Sequence, residues 1–387
     1  MNYDLDESQR AFQETARKFA EQALAPNAQQ WDHESFFPKE VFKEAGKLGF
    51  MAMYMPEEHH GIGLSRLDST LIMEELAAGC TSTAAFISIH NMAFNMLARY
   101  GQKDVITQWS EALSTGDKLA SYCLTEPGAG SDAASLTTKA VKRNGQYILN
   151  GTKAFISGAG DTDLLIVMAR TSDNGAKGIT CFAVPANSKG ISYGKKEDKL
   201  GWNSQPTRLI HFEDVAIPEN HLLSEEGKGF TLAMEGLDGG RLNIAACSVG
   251  TAKASLKAAT EYVQERKQFN KAISEFQATQ FKLADMLTDL AAARQMIRYA
   301  AFKLDHNQAD KTAFCAMAKR FATDVGFQIC DEALQLHGGY GYIKEYPIER
   351  YFRDTRVHRI LEGTNEVMRL IIARRILSDD TFSIIHE

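Results

Sequence analysis

The sequence predicts a mainly helical protein with a central β-domain, in the order α, β, α. Apolar residues recur at helical spacing over the first part of the chain. Short β-branched and aromatic runs, separated by turn signals, fill the middle. Long helical patterns return beyond Gly229 and last to the end. At 387 residues the chain exceeds one simple core. It divides into an N-terminal helical domain over 1–117, a central β-domain over 118–228 and a C-terminal four-helix bundle over 229–387.

In the first domain Phe12, Ala16, Phe19 and Ala20 fall on one helical face. Leu67, Leu71 and Leu76, then Ile87, Met92 and Met96, continue the pattern. Pro26, Pro38, Pro56 and Gly61-Ile62-Gly63 punctuate it. The middle domain has strand-like runs at 147–149, 164–167, 180–184 and 209–212. Turn signals at Asn144-Gly145, Asn150-Gly151, 173–175 and Gly190 separate them. Such spacing predicts a sandwich or barrel. Strand–helix alternation is missing, which disfavours a Rossmann domain. In the last domain helices are predicted over 233–267, 276–305 and 311–335, with a shorter one after Thr364.

Lys+Arg is 43 and Asp+Glu 49, a net charge of −6, so there is no electrostatic case for wrapping nucleic acid. The 6 cysteines form no C-x-x-C pair and read as buried thiols in a reducing compartment. His59-His60 is the only histidine cluster and no H-E-x-x-H occurs, so no metal is expected. The first residues, MNYDLDESQR, are polar and acidic, unlike a signal or transit peptide, and no apolar run suggests a membrane span. The expected location is cytoplasmic in a bacterium, or the mitochondrial matrix for a processed eukaryotic chain.

Several segments could carry chemistry. In YCLTEPGAGSD, from Tyr122 to Asp132, a strand enters a loop with glycines and hydroxyls that could approach a flat or anionic ligand. In KAFISGAG, Phe155 and Ser157 alternate onto one strand face, able to stack on a ring and bond its edge. Arg266, near Phe276 and Gln277, could hold a pyrophosphate from a helix end. Gln335-Leu336-His337-Gly338-Gly339 has more glycine than a helix cap requires. Glu362, in LEGTNE, would serve as a general base if its loop lines an apolar pocket. Each also has a bland alternative: a surface turn, a core Phe, cations that only oppose a helix dipole, a helix cap, a solvated glutamate.

Together and in this order, these segments resemble the acyl-CoA dehydrogenase family over essentially the whole chain. RKQFNKAISEFQ, QLHGGYGY and ILEGTNEVMRLIIAR fall in family order and spacing. Many members have Trp where this chain has Phe155 and Thr where it has Ser157. The resemblance implies one FAD per subunit and a homotetramer built as a dimer of dimers. It implies that Tyr122, Cys123, Leu124, Thr125, Gly130, Ser131, Phe155, Ile156 and Ser157 hold the flavin ring. Arg266, Phe276, Gln277, Gln335, Leu336, His337, Gly338 and Gly339 would reach the pyrophosphate and adenine end across a subunit interface. Thr364, Asn365 and Glu366 would complete the cofactor site. Ser131, Asp238, Gly239, Gly240, Arg241 and Arg374 would contact an acyl-CoA. Glu362 is implied as the base that removes the substrate α-proton. Some members place that base immediately before the arginine, but this chain has Gly240 before Arg241.

SIHNM at 88–92, GWNSQPTR at 201–208 and LDGGRLNIAACS at 237–248 resemble family members acting on a small branched acyl group. The implied substrate is isobutyryl-CoA, with 2-methylbutyryl-CoA or a short straight chain as alternatives. An electron-transferring flavoprotein is the implied electron acceptor. An acyl-CoA oxidase and a non-catalytic, nucleic-acid-binding flavoprotein of the same fold are the competing functions. The net charge and Glu362 weigh against the last.

Overall fold

The computed structural model describes residues 4–378. The N-terminal part holds α1 (Glu7–Phe19), a π-turn (Ala20–Leu24), α2 (Ala28–Glu34), α3 (Lys39–Lys47), α4 (Arg66–Gly79), α5 (Thr81–Tyr100) and α6 (Lys103–Ser114). Asp6 starts α1 as a capping box: it accepts the Gln9 amide at 2.8 Å, and the Gln9 side chain returns to the Asp6 amide at 3.2 Å. Helices α4 and α5 are buried nearly all round, with apolar and small residues making up most of each and the buried Glu74 and Glu75 of α4 paired with Arg294 and Lys253. Among the polar exceptions of α5, Ser82 Oγ and Asn95 Oδ1 are buried without a partner among the described residues, whereas Asn91 is satisfied. Asn91 donates to the Phe50 and Ile87 carbonyls, both at 2.9 Å, and accepts from Met53 N at 2.9 Å.

The middle part holds β1 (Ala120–Cys123), β2 (Lys139–Arg143), β3 (Gln146–Ser157), β4 (Leu164–Arg170), β5 (Ile179–Pro185), β6 (Ile191–Tyr193), β7 (Thr207–Pro218) and β8 (Leu222–Leu223). They form one 8-stranded mixed sheet in the order β6-β7-β3-β2-β4-β5-β8, with β1 parallel to β4. Asn144 and Gly145 have φ of 51° and 74°, the left-handed pair that a tight β2–β3 hairpin needs. Strand β4 is buried on both faces, which explains its unbroken apolar run. Leu164, Ile166 and Met168 pack into the helical core. Leu165, Val167 and Ala169 pack with Tyr147, Phe182 and Phe212 into the sheet's own core.

The C-terminal part holds α7 (Gly229–Glu265), a small hairpin of β9 (Lys267–Gln268) and β10 (Lys271–Ala272), α8 (Gln277–Asp305), α9 (Lys311–His337), α10 (Ile348–Arg356) and α11 (Asn365–Ser378). Helix α10 is not foreseen by the helical pattern, because its sequence ERYFRDTR is strongly polar and its apolar face is short. The bundle core is rich in alanine: Ala245, Ala252, Ala301 and Ala318 let the axes approach closely. Helix α7 also packs against α4 and α5. Gly250 makes one of these contacts possible, since a Cβ there would lie 2.1 Å from the Glu74 carbonyl oxygen. The N-terminal half of α7 is thus where the helical domain, the sheet and the loop before α11 converge.

Candidate active site

The loop between α10 and α11 turns left-handed at two successive residues, Glu362 (φ 55°) and Gly363 (φ 86°). The second position requires glycine: a Cβ would also meet Met368 Cε at 2.6 Å. For Glu362 the conformation costs on the order of 1–3 kcal/mol, so something must hold it. Two buried cations do. Arg241 Nε donates to the Glu362 carbonyl at 3.4 Å, and Lys319 Nζ donates to the Gly363 carbonyl at 2.8 Å.

The Glu362 carboxyl faces α7. A Cβ on Gly240 would lie 2.5 Å from Glu362 Oε2, with Met92 Sδ 3.2 Å away. That oxygen is enclosed and has no hydrogen-bond partner. Burial pushes the Glu362 carboxyl up to about 7, against the opposing pull of Arg241 and Lys319. A carboxyl with a free, enclosed oxygen that titrates near neutrality is suited to take a proton from a weak acid.

Around it, Tyr122 is half-buried and donates from its hydroxyl to the Ala233 carbonyl at 3.5 Å. Burial, reinforced by the Glu362 charge, keeps that phenol protonated. Asp238 and Arg241 are buried and paired at 2.6 Å, and Thr312 Oγ1 donates to the other Asp238 oxygen at 2.6 Å. Gly239 makes room for Arg66: a Cβ there would meet its Nη1 at 2.5 Å. The Arg66 guanidinium lies 3.5 Å above the Tyr54 ring. The methionines of α5 close one wall, with Met96 Sδ 3.2 Å from where a Gly236 Cβ would be.

The loop after β1 is pinned from within by a buried ion pair, Lys153 Nζ to Glu126 Oε1 at 2.8 Å. Lys153 also donates to the Leu124 carbonyl at 2.9 Å. Glu126 accepts from Thr137 N at 2.6 Å, Thr137 Oγ1 at 2.8 Å and Thr138 N at 2.9 Å. Burial alone would raise the Glu126 carboxyl. Lys153 and these donors outweigh it and hold the group at about 2. Ala154 N donates to the Thr125 carbonyl at 2.8 Å, which seats the loop beside Phe155.

Phe155 is 71% exposed with φ 55°, where the β3–β7 register breaks between Lys153 and Ile156. The expected alternation survives the bulge: Ile156 turns into the sheet core, while Phe155 and the half-buried Ser157 face outward. Cys123 is also a sheet-core side chain, so it and Ile156 offer a ligand only their backbone. Gly130 is exposed, and a Cβ there would meet nothing within 4 Å. Ser131 is exposed beside it.

A second site forms at the far ends of α7 and α9. Arg266, Gln335, Leu336, His337, Gly338 and Gly339 line one pocket of about 520 Å³, with Tyr262 and Tyr340. Tyr262 stacks on His337 at 4.4 Å, and the Arg266 guanidinium lies 5.4 Å from the Tyr340 ring centre. Phe276 and Gln277 open α8 just beyond, Phe276 edge-on to Phe269 at 6.3 Å. Arg241 and Arg266 stand about 37 Å apart along α7 at 1.5 Å per residue.

At the start of α11, Thr364 Oγ1 accepts from Val367 N at 3.2 Å. Asn365 is buried and turned toward α9, where its amide donates to Thr323 Oγ1 at 3.0 Å and Asp324 Oδ1 at 2.9 Å. Glu366 and Arg374 are exposed.

Family models decide what kind of protein carries this arrangement. The acyl-CoA dehydrogenase N-terminal, middle and C-terminal domain models match residues 6–117, 121–215 and 227–377. The chain belongs to the acyl-CoA dehydrogenase family. It is 52% identical over 377 residues to the mitochondrial isobutyryl-CoA dehydrogenase of Dictyostelium discoideum, covering 97% of this chain and 91% of that one. It is 50% identical over 375 residues to the corresponding Bos taurus protein, covering 97% and 90%. Among solved structures, butyryl-CoA dehydrogenase from Megasphaera elsdenii superposes with a TM-score of 0.94 at 39% identity, covering 97% of this chain and 100% of that one.

In this acyl-CoA dehydrogenase, sequence reasoning missed the parts that hold others in place: Lys319, the Glu126–Lys153 pair, and Arg66 on Tyr54. Lys319 left a signal. It shares a helical face with Cys315 and Ala322, both buried, where a lysine is out of place. The Glu126–Lys153 pair left none, because 27 residues separate the partners.

Proposed function

We propose that this chain is an FAD-dependent dehydrogenase that removes two hydrogens across Cα–Cβ of isobutyryl-CoA, giving methacrylyl-CoA, a step of valine breakdown. The supporting observation is the Glu362 carboxyl, enclosed over Gly240 with one unpartnered oxygen. The α C–H of a thioester is a weak acid. Burial brings the carboxyl closer to it in basicity, and a dry wall strengthens every hydrogen bond to the developing enolate. Glu362 takes the α-proton, and Gly240, lacking a side chain, leaves the space that its carboxyl occupies. Met92 narrows the space beside Glu362, and Met96 lies one turn away against Gly236, which favours a short acyl group over a long one. Asp238, Gly239, Gly240, Arg241, Ser131 and Arg374 are assigned to the acyl-CoA.

The residues present fit a flavin dinucleotide. Phe155 offers a bare aromatic face in a conformation that a side chain adopts at a cost, and no packing within the chain demands glycine at Gly130. The loop from Tyr122 to Ser131, with Phe155, Ile156 and Ser157, is assigned to the ring. Arg266, Phe276, Gln277, Gln335, Leu336, His337, Gly338 and Gly339 are assigned to the pyrophosphate and adenine end, and Thr364, Asn365 and Glu366 to completing that site. When bound, FAD accepts the hydride from Cβ.

By the family resemblance we assign the Arg266 pocket to a neighbour's cofactor, in a homotetramer built as a dimer of dimers. Phe281 and Leu287, exposed on α8 at 63% and 58%, supply apolar surface for such contacts. An electron-transferring flavoprotein is the inferred acceptor of the electrons. The mitochondrial matrix is inferred for a eukaryotic source and the cytoplasm for a bacterial one.

An anaerobic panel of acyl-CoA thioesters, read by flavin bleaching, tests the assignment. Isobutyryl-CoA should give the highest kcat/KM, ahead of 2-methylbutyryl-CoA and short straight chains. One methylene is worth about 1–3 kcal/mol in such a pocket, so these should differ measurably. Octanoyl-CoA outperforming isobutyryl-CoA would overturn the substrate, and protein that takes up no FAD would overturn the whole reading. Rapid reoxidation by air would favour an oxidase.

A further inference from the structure

Lys319 is fully buried in α9 beside Cys315, Ala318 and Ala322, all equally buried. A lysine stem through an alanine-lined core is costly unless its charge is used. Its ammonium reaches the base of the Glu362 loop, donating to the Gly363 carbonyl at 2.8 Å and to Asn365 Oδ1 at 2.9 Å. The donations from the Asn365 amide to Thr323 and Asp324 fix which way that side chain points, aiming its oxygen at Lys319. The left-handed turn at Glu362 and Gly363 sends successive carbonyls inward, one to Arg241 and the next to Lys319.

The charges around the loop are unequal. Arg241 is neutralised by Asp238 at 2.6 Å. Asp324 is engaged by Arg359 at 2.8 Å. Glu362 Oε2 has no partner. Three groups face the Glu362 carboxyl electrostatically: Arg241 from α7, Lys319 from α9 and the neutral Tyr122 from β1.

We propose that Lys319 is a positioning residue for proton abstraction: it clamps the Glu362 turn through the Gly363 carbonyl and so holds an ammonium at the base of the Glu362 loop. This rests on Glu362 being the base. Burial pulls the Lys319 ammonium down to about 7, so its charge is held below that pH and fades above it; without that charge the paired Arg241 alone opposes burial of Glu362, whose carboxyl then protonates at higher pH.

The test uses the FAD-loaded enzyme and the variants Lys319→Met, which keeps bulk without charge or donor, and Lys319→Gln, which keeps a donor. Two readouts are taken against pH: flavin bleaching by isobutyryl-CoA, and exchange of the α-hydrogens of a 3-thia analogue with deuterated water by mass spectrometry. The analogue can lose its α-proton without completing the oxidation. Both variants should move the rising limb of both profiles to higher pH. Lys319→Met should also lose about 10- to 100-fold in the limiting rate, with Lys319→Gln recovering part of it. A limb that stays at the wild-type pH in both variants would overturn the proposal, however far the rate falls. Loss of folding or of FAD in both would make Lys319 purely structural and also overturn it. Wild-type enzyme that neither bleaches nor exchanges with any acyl-CoA would instead bring down the functional reading beneath.

Discussion

The two ends of α7 make opposite kinds of site. At the Gly240 end the walls are packed and the reacting group is one buried carboxyl, with its oxygen enclosed and its backbone gripped by cations. At the Arg266 end the pocket is open, aromatic and cationic, with glycines that a Cβ would not crowd. The first arrangement changes the basicity of a group. The second offers contact area and charge. Chemistry is therefore expected to fail when the first is disturbed, and binding when the second is.

Glu362→Gln should break the first end most severely. It keeps the shape but cannot take a proton, so flavin reduction should fall by about 10³-fold or more while FAD and acyl-CoA still bind. Stopped-flow reduction alongside FAD titration checks this. A near wild-type rate would move the base elsewhere. In the unmodified enzyme kcat/KM should rise with pH through about 7 and level off above, since only the carboxylate form accepts the proton and burial places its titration there.

Gly240→Ala is the next largest. Its methyl group would enter the space of Glu362 Oε2, at 2.5 Å, and must displace the carboxyl. A displacement of that order should cost about 10²-fold in reduction with little loss of FAD. Adding Glu at 240 to Glu362→Gln sharpens the point: both positions address one volume, so partial recovery of reduction is expected.

Glu126→Gln disturbs neither end directly, but unpins the loop that leads to Tyr122. Removing one partner of a buried pair should cost about 3 kcal/mol by chemical denaturation. The Glu126 carboxyl lies near 2 when folded, against an ordinary 4.5. Its stabilisation is complete above about 4.5 and is lost as pH falls through about 2. The variant should therefore show a flatter loss of stability in acid over that window.

Arg266→Ala has the smallest expected effect and belongs to the other end. Losing a charge-assisted contact should weaken FAD retention by about tenfold, with an unchanged reduction rate once FAD is saturating. A fall in the saturated rate would show that the two ends are not separate in function.

Much of this was legible in the chain. The α, β, α order followed from hydrophobic period, because helices and strands bury different spacings of the same residue types. Glu362, Phe155, the loop from Tyr122 to Ser131 and the glycine-rich end of α9 are candidates with bland alternatives when read alone, and their order along the chain, through the family resemblance, gives them their expected roles. Helix α10 escaped, being too short and polar to show a period.

What the sequence could not decide was which charges act on which. Glu362 is a glutamate beside a glycine in any reading. It titrates near neutrality only because tertiary packing buries its carboxyl, against the opposing pull of Arg241 from α7 and Lys319 from α9. Likewise Glu126 is an ordinary loop carboxylate until β3 carries Lys153 to within 2.8 Å. Local conformation depends on near neighbours in the chain, so composition and spacing reveal it. Basicity depends on burial and on charges a few ångströms away, and those distances are set only when segments far apart in sequence pack together.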